Sequence, residues 1–395
     1  MKPSTRDAEG PASSVESGEP AGGGLRIAYL GDPGSVHVRR WLACFTGRHD
    51  VCLIVPEGVQ IADGLPEGVT IERFEAMSGP LNPVRIAAAR RSLRGAMSRL
   101  KPDVVHAHHA TVNSWHAWLA GFHPYVVTVW GTDVLITARA RRPGRVLTRL
   151  ALRAADLVTG GSDLLVRAAV GAGARPDRAR YVHFGVDTER FSPGDGSRMR
   201  SRLGLAAGAR VLLSPRTIAP LYRHDVVLEA FSRQPADTVL VMTRHLAAAG
   251  EEAALMSQAA ALGVADRVRV IDAVPPAEMP ELYRLADAVV SVPASDGGPN
   301  TVVEALACGR PIVASDLPPN REWLADLDPA ALVPVGDVAA TAAAMRAVLG
   351  RSAAERDERA ARGRVQVCAR ADRRATMALM DDLYRRLAET RRIAR

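Results

Sequence analysis

The chain has 395 residues, 47% of them hydrophobic and 24% charged, which excludes a disordered chain. Its length exceeds what one hydrophobic core usually organises, so it predicts two domains, at most three, and excludes a peptide-sized binding module. The net charge is +8, and all of the 51 basic residues except Lys2 and Lys101 are arginines. Guanidinium groups clamp phosphates and carboxylates bidentately, which keeps phosphate-bearing ligands, anionic membranes and nucleic acid in view; a bias toward arginine codons gives the same count.

Residues 1–24 combine Gly, Pro, Ser and acidic residues without the apolar run of a signal peptide, which predicts a disordered tail. From residue 25, short β-branched apolar runs alternate with helix-length stretches: LRIAYL (25–30), VCLIV (51–55), DVVHA (103–107), YVVTV (125–129) and DLVTG (156–160). Buried parallel strands joined by helices have this pattern. The rhythm breaks over residues 184–204, where Gly and Pro punctuate a stretch poor in apolar residues, and the interdomain linker is placed there. It resumes with VLLS (211–214), TVLVM (238–242), RVRVI (267–271), DAVVSV (287–292) and PIVAS (311–315). Two doubly wound, Rossmann-like α/β domains follow, over residues 25–190 and 191–370. Their ligands are expected beyond the carboxyl ends of the strands, in the cleft between the domains. After residue 338 the Ala- and Arg-rich chain reads as helix, and residues 371–395 are expected to pack back on the N-terminal domain.

No apolar run approaches the roughly 18 to 20 residues that cross a bilayer. Cys44, Cys52, Cys308 and Cys368 are scattered, without the spacing of a zinc site. The expectation is a cytoplasmic protein with reduced thiols, in which any membrane contact is peripheral, at the inner face.

The most informative stretch is SVPASDGGPNTVVEALACGRPIVASD, residues 291–316. A strand enters a small-residue loop, and a helix opens at Asn300 or Thr301. Backbone amides at a helix start, preceded by Gly297, Gly298 and Pro299, form an anion site suited to a diphosphate. Asp296 and Glu304 stand eight apart, one in the loop and one a turn inside the helix, where carboxylates accept from sugar hydroxyls. An ordinary strand-to-helix turn with a loop Asp and a solvated Glu has the same pattern.

This segment resembles the signature of retaining glycosyltransferases with the GT-B fold, family 4, in which a Glu, seven residues and a second Glu precede A-x-A-C-G-x-P-V-V-A. Glu304 matches the second Glu, and Asp296 stands for the first with its carboxylate one methylene shorter. The resemblance extends over nearly all of the chain after the tail. LGDPGSVHVRRW (30–41) is similar to the first strand and glycine-containing loop of the family, and implies that Gly34 admits a ligand to the backbone and that His37 points into the cleft. FGVDTERFSP (184–193) is similar to the crossing between domains. RTIAPLYRHDVVLEAF (216–231) is similar to the segment whose Arg and Lys hold the donor diphosphate; Arg216 fits the Arg, and Arg223 is the candidate for the second charge. VIDAVPPAEMPELYRLADAVVSV (270–292) is similar to the stretch that carries the nucleotide base, with Val274 as a candidate backbone contact.

The resemblance implies a hexosyltransferase, retaining and metal-independent. Its C-terminal domain would bind a nucleotide-diphosphate sugar through Asp296, Gly297, Gly298, Pro299, Asn300, Thr301, Glu304 and Val274. Its N-terminal domain would present an acceptor, small-molecule or lipid-linked. No cofactor is expected, and no DxD motif is present to hold a metal. Where many relatives have T-x-H after a strand, this chain has Trp130 followed by Gly131, Thr132 and Asp133; Trp130 is assigned to the acceptor side and Asp133 to contact with donor sugar or acceptor. HAHHATVNSWH (106–116) holds His106, His108, His109 and His116, which read as a metal set, as cleft-lining polar residues with His108 on the acceptor side, or as structural histidines. Residues 81–154 carry 12 basic and two acidic side chains, clustered in residues 85–101 and 139–153. They read as a surface for anionic lipid or as solvated helix faces; nucleic acid is disfavoured because only 4% of residues are aromatic. A sugar-nucleotide epimerase of similar architecture and a non-catalytic sugar-binding protein are the alternatives.

Overall fold

The computed structural model describes residues 23–61, 63–77, 82–137, 142–206, 208–244 and 250–393. The expected tail lies outside them except for its last two residues.

The first half of the chain runs β1 (Arg26–Leu30), α1 (Val36–Ala43), β2 (Asp50–Pro56), β3 (Val69–Phe74), α2 (Pro83–Leu100), β4 (Val104–His108), α3 (Val112–Ala120), β5 (Tyr125–Val129), α4 (Arg142–Ala154), β6 (Leu157–Gly160), α5 (Asp163–Ala172) and β7 (Ala179–Tyr181). The second runs α6 (Ser197–Arg202), β8 (Arg210–Ser214), α7 (His224–Ser232), β9 (Thr238–Arg244), α8 (Glu251–Ala261), β10 (Val268–Asp272), α9 (Met279–Arg284), β11 (Ala288–Ser291), α10 (Asn300–Ala307), β12 (Ile312–Ser315), α11 (Pro318–Leu324) and β13 (Leu332–Val333). Three helices close the chain: α12 (Val338–Leu349), α13 (Ala353–Ala371) and α14 (Arg373–Ile393).

Seven strands form one sheet in the order β3-β2-β1-β4-β5-β6-β7, and six form the other in the order β10-β9-β8-β11-β12-β13. Every ladder is parallel. Strands covered on both faces are mostly apolar, and β4, β5, β6, β11 and β12 are buried at every position, their few polar residues such as His106, Thr128 and Thr159 being hydrogen-bonded to one another, which makes them legible in the sequence. The sequence reading passed over β3, whose residues are mostly half exposed at the sheet edge, and the two- and three-residue edge strands β13 and β7. Local chemistry sets the helix starts. Ser35 accepts from the Val38 amide at α1, Asn82 from Val84 with Pro83 in the first turn of α2, and Ser352 and Glu355 form a capping box on α13.

In the N-terminal sheet, one face packs beneath α2, α3, α4 and α5, and the other beneath α1 and α14. Met377, Met380, Tyr384 and Ala388 of α14 are buried among Tyr29, Trp41 and Phe45, so the last helix completes the core of the first domain. The chain therefore passes between the domains twice, and the two passages bond to each other. Val186 donates to the Ala371 carbonyl, and Arg373 donates to the Val186 carbonyl, both at 2.9 Å. Gly185 is left-handed there, φ +81°, and a Cβ on it would lie 2.7 Å from the Arg373 Cα.

Candidate active site

In both sheets the strand order reverses direction beside the first strand, between β1 and β4 and between β8 and β11. Loops leave such a switch point in opposite directions and open a crevice at the carboxyl edge. The two crevices face each other across one cleft of about 620 Å³. The N-terminal domain lines it with Ser35, His37 and Arg40 after β1, His109 after β4, and Trp130 after β5. From the C-terminal domain come Arg216 after β8, Val274 after β10, and Asp296, Asn300 and Glu304 around the start of α10.

Arg216 is the centre of the C-terminal wall. Its guanidinium lies 3.1 Å from Asp296 and donates to the Thr301 hydroxyl at 3.2 Å, with Tyr222 stacked 4.2 Å beneath. Burial alone would lower its pKa, but Asp296 and Tyr222 more than compensate and hold it charged. Asp296 also accepts from the Gly298 amide at 3.2 Å, which fixes the loop. α10 begins at Asn300 with no side chain capping it; the Asn300 amide donates to the Gly298 carbonyl at 2.9 Å, and Asn300 and Thr301 line the cleft beside Arg216. Glu304 accepts from the Tyr283 hydroxyl at 2.8 Å and lies 3.8 Å from Arg40 of the other domain. Burial raises its pKa, opposed by Arg40 and Tyr283.

The opposite wall is largely aromatic, and Arg40 brings a cation to it. Trp130 lies 5.1 Å from the His37 ring, and its indole N–H donates to His108 Nδ1 at 3.2 Å. Enclosure by the cleft walls, with Arg40, Arg216 and His109 nearby, lowers the pKa of His37 to about 4. The domains touch where Ser162 donates to the Gly297 carbonyl at 2.7 Å.

Several expected site residues fall elsewhere. Arg223 does not line the cleft: its left-handed backbone, φ +52°, starts α7, and its guanidinium is taken up by Asp225 at 3.0 Å. Asp133 is buried and accepts from the amides of Ala110, Trp130, Gly131 and Val134, so its oxygens hold the loop after β5 rather than a ligand. His108 is buried behind Trp130, and Gly34 stands outside the lining, its amide held by Asp32 at 2.8 Å. Pro299 is buried at the start of α10 and does not line the cleft.

The four histidines of residues 106–116 separate. His106 and His108 stack at 4.5 Å within the core, where His106 bonds Tyr384 and Thr128; His116 accepts from the Met77 amide; His109 reaches the cleft. Among the described residues no three His, Cys, Asp or Glu converge to hold a metal. Arg40, Tyr222, Tyr283 and His183 belong to the site without having been singled out. A signal for Arg40 existed, since the three-residue step from His37 along α1 puts both on one face. Tyr222 and Tyr283 lie in the two stretches, 216–231 and 270–292, that the resemblance assigns to the donor, where only Arg216, Arg223 and Val274 are named.

Two facing parallel-sheet domains whose loops meet at such a cleft define the GT-B class of glycosyltransferases. Residues 196–364 match the family of glycosyl transferases group 1, and residues 26–162 match the glycosyl transferase 4-like family. The D-inositol 3-phosphate glycosyltransferase of Geodermatophilus obscurus is 31% identical over 328 residues, 75% of this chain and 71% of that protein. That of Frankia alni is 30% identical over 304 residues, 66% and 71% of the two chains. Among solved structures, Anabaena HepE in complex with UDP and glucose superposes with a TM-score of 0.75 at 20% identity, covering 92% of this chain and all of that one. Sucrose-phosphate synthase from Thermosynechococcus elongatus gives 0.76 at 18%, covering 92% and 99%. The chain belongs to the group 1 glycosyltransferases.

Proposed function

We propose that this glycosyltransferase moves a hexosyl group from a nucleotide-diphosphate sugar to an acceptor hydroxyl, with retention of anomeric configuration and without a divalent metal. The observation that carries the reading is Arg216 held between Asp296 and Thr301 at the uncapped start of α10, with Glu304 one turn inside. Charge develops on the diphosphate as its bond to the sugar breaks, and a guanidinium beside free helix amides is preorganised for it. Asp296 and the backbone of the loop 297–300 bind the sugar, Glu304 binds the ribose, and the backbone near Val274 meets the base. The acceptor hydroxyl attacks from the face the diphosphate leaves, and a phosphate oxygen takes its proton. His37, neutral above about pH 4, accepts a hydrogen bond from the acceptor, while Trp130 offers it an aromatic face. UDP in the HepE structure makes a uridine donor the first to try.

The test is binding and slow hydrolysis across UDP, GDP, ADP and TDP sugars for wild type, Arg216→Ala and Glu304→Ala, with EDTA present. Binding of one donor class, lost in both variants, supports the reading; no binding, or variants that bind as wild type does, overturns it. Once an acceptor is found, the anomeric coupling in the product decides between retention and inversion.

A further inference from the structure

Because all seven strands of the N-terminal sheet are parallel, the helices that follow them start at the carboxyl edge, the edge that forms the cleft. The first turns of α2, α3 and α4 therefore share one rim. Five of the nine large hydrophobic side chains exposed among the described residues belong to this region: Val84, at 76% exposure, and Val112 open α2 and α3, Ile136 lies between β5 and α4, and Val146 and Leu150 follow in the second and third turns of α4. Ile136 also lines the cleft, so the apolar rim is continuous with its mouth.

Cations continue from this rim down the same helices. On α2, Arg90, Arg91 and Arg94 are exposed; on α4, Arg145, Arg149 and Arg153 alternate with Val146 and Leu150. The ion pairs of this region engage other cations, joining Arg99 to Glu72, His109 to Asp133, His123 to Asp156 and Arg392 to Asp103. Six arginines thus meet no carboxylate among the described residues. A charged face that needed only solubility would mix signs and would not expose valine and leucine between its arginines.

We infer that the exposed face of α2 and α4, running back from the cleft rim past the start of α3, is a docking surface for an anionic lipid bilayer. Arginines bind the headgroup phosphates while Val84, Val146 and Leu150 enter the interface, and the mouth of the cleft faces the membrane. The surface stands independently of the sugar chemistry.

The experiment is co-sedimentation of the full chain with phosphatidylcholine vesicles, with and without phosphatidylglycerol. Binding to the anionic vesicles alone, weakened about fivefold for each of Arg91→Gln, Arg145→Gln and Arg149→Gln, is the expected result. Val146→Asn with Leu150→Asn also weakens binding while leaving the cations in place, which separates membrane entry from a general affinity for polyanions. Equal binding to both vesicles, no binding to either, or variants that sediment as wild type does would overturn the inference. Unchanged thermal melting of each variant shows that a loss is not unfolding, and donor hydrolysis without vesicles reports separately on the transfer site.

Discussion

Gly131 and Gly297 meet backbone to backbone across the cleft. A Cβ on Gly297 would lie 2.7 Å from the Gly131 Cα and 2.9 Å from the Trp130 carbonyl. Gly131 has φ +138°, a conformation that other residues adopt only with strain. The N-terminal domain thereby presses directly on the loop that carries Asp296. Neither backbone can yield, but the two domains can part. Gly297→Ala is therefore expected to open the cleft rather than unfold either half, lowering kcat by about tenfold or more while the melting temperature stays close to wild type. Steady-state kinetics beside calorimetry check this, and an unchanged kcat would show that this closed contact is not used in turnover.

Arg216 and Arg223 came from one sequence segment and have opposite fates. Arg216 makes directed contacts to Asp296 and Thr301 in a buried setting, where a lysine keeps charge but loses the planar fork. Arg216→Lys is expected to lower kcat/KM for the donor by about 10². Arg223, paired with Asp225 at the surface, is expected to tolerate Ala within about twofold. A kinetic comparison of the two variants reads both outcomes together.

Burial explains what the sequence disclosed. Covered parallel strands are apolar on most of both faces, so β5, β11 and β12 appear as nearly continuous runs and β4 as one interrupted by His106 and His108, and the loop before α10 carries its small residues where a backbone approaches. Edge strands such as β3 escape because half of their surface meets water and their pattern dilutes. The polar candidates were harder to rank, because a sequence shows that Asp133 or His108 is near the site but not which way it turns. Asp133 turns to four amides, and His108 to the back of Trp130. Arg223 was misplaced because its left-handed backbone, invisible in composition, delivers the guanidinium to Asp225.

Asp133 provides a direct test of that distinction. An ionised carboxylate accepts from several amides at once, whereas the amide of Asn offers one oxygen and brings two donors into the same buried space. Asp133→Asn is expected to destabilise the N-terminal domain by about 1–3 kcal/mol. Urea denaturation should show a lower midpoint. A folded variant of wild-type stability with lost turnover would instead return Asp133 to the chemistry.

Five of the six buried histidines among the described residues, all but His49, which pairs with Asp381, give the fold a defined acid sensitivity. Burial lowers the pKa of His106 to about 3 and those of His116, His183 and His224 to about 4, and it holds His108 well below its ordinary value with His106, His109 and His37 adding to the effect. In the unfolded chain each titrates near 6.5, so between that pH and the folded value the unfolded state binds more protons. Stability is therefore complete above about pH 6.5 and falls as pH drops toward 4, by up to about 1.4 kcal/mol per pH unit for each histidine. His224 is a useful place to isolate one contribution, because its ring is buried and no side chain hydrogen-bonds to it. His224→Leu removes a titrating group at little cost in packing. Its melting temperature should fall less steeply than that of wild type between pH 7 and 5, with the two curves closest to parallel above pH 7. A variant with the wild-type slope throughout would show that His224 takes up its proton as readily in the folded chain as in the unfolded one.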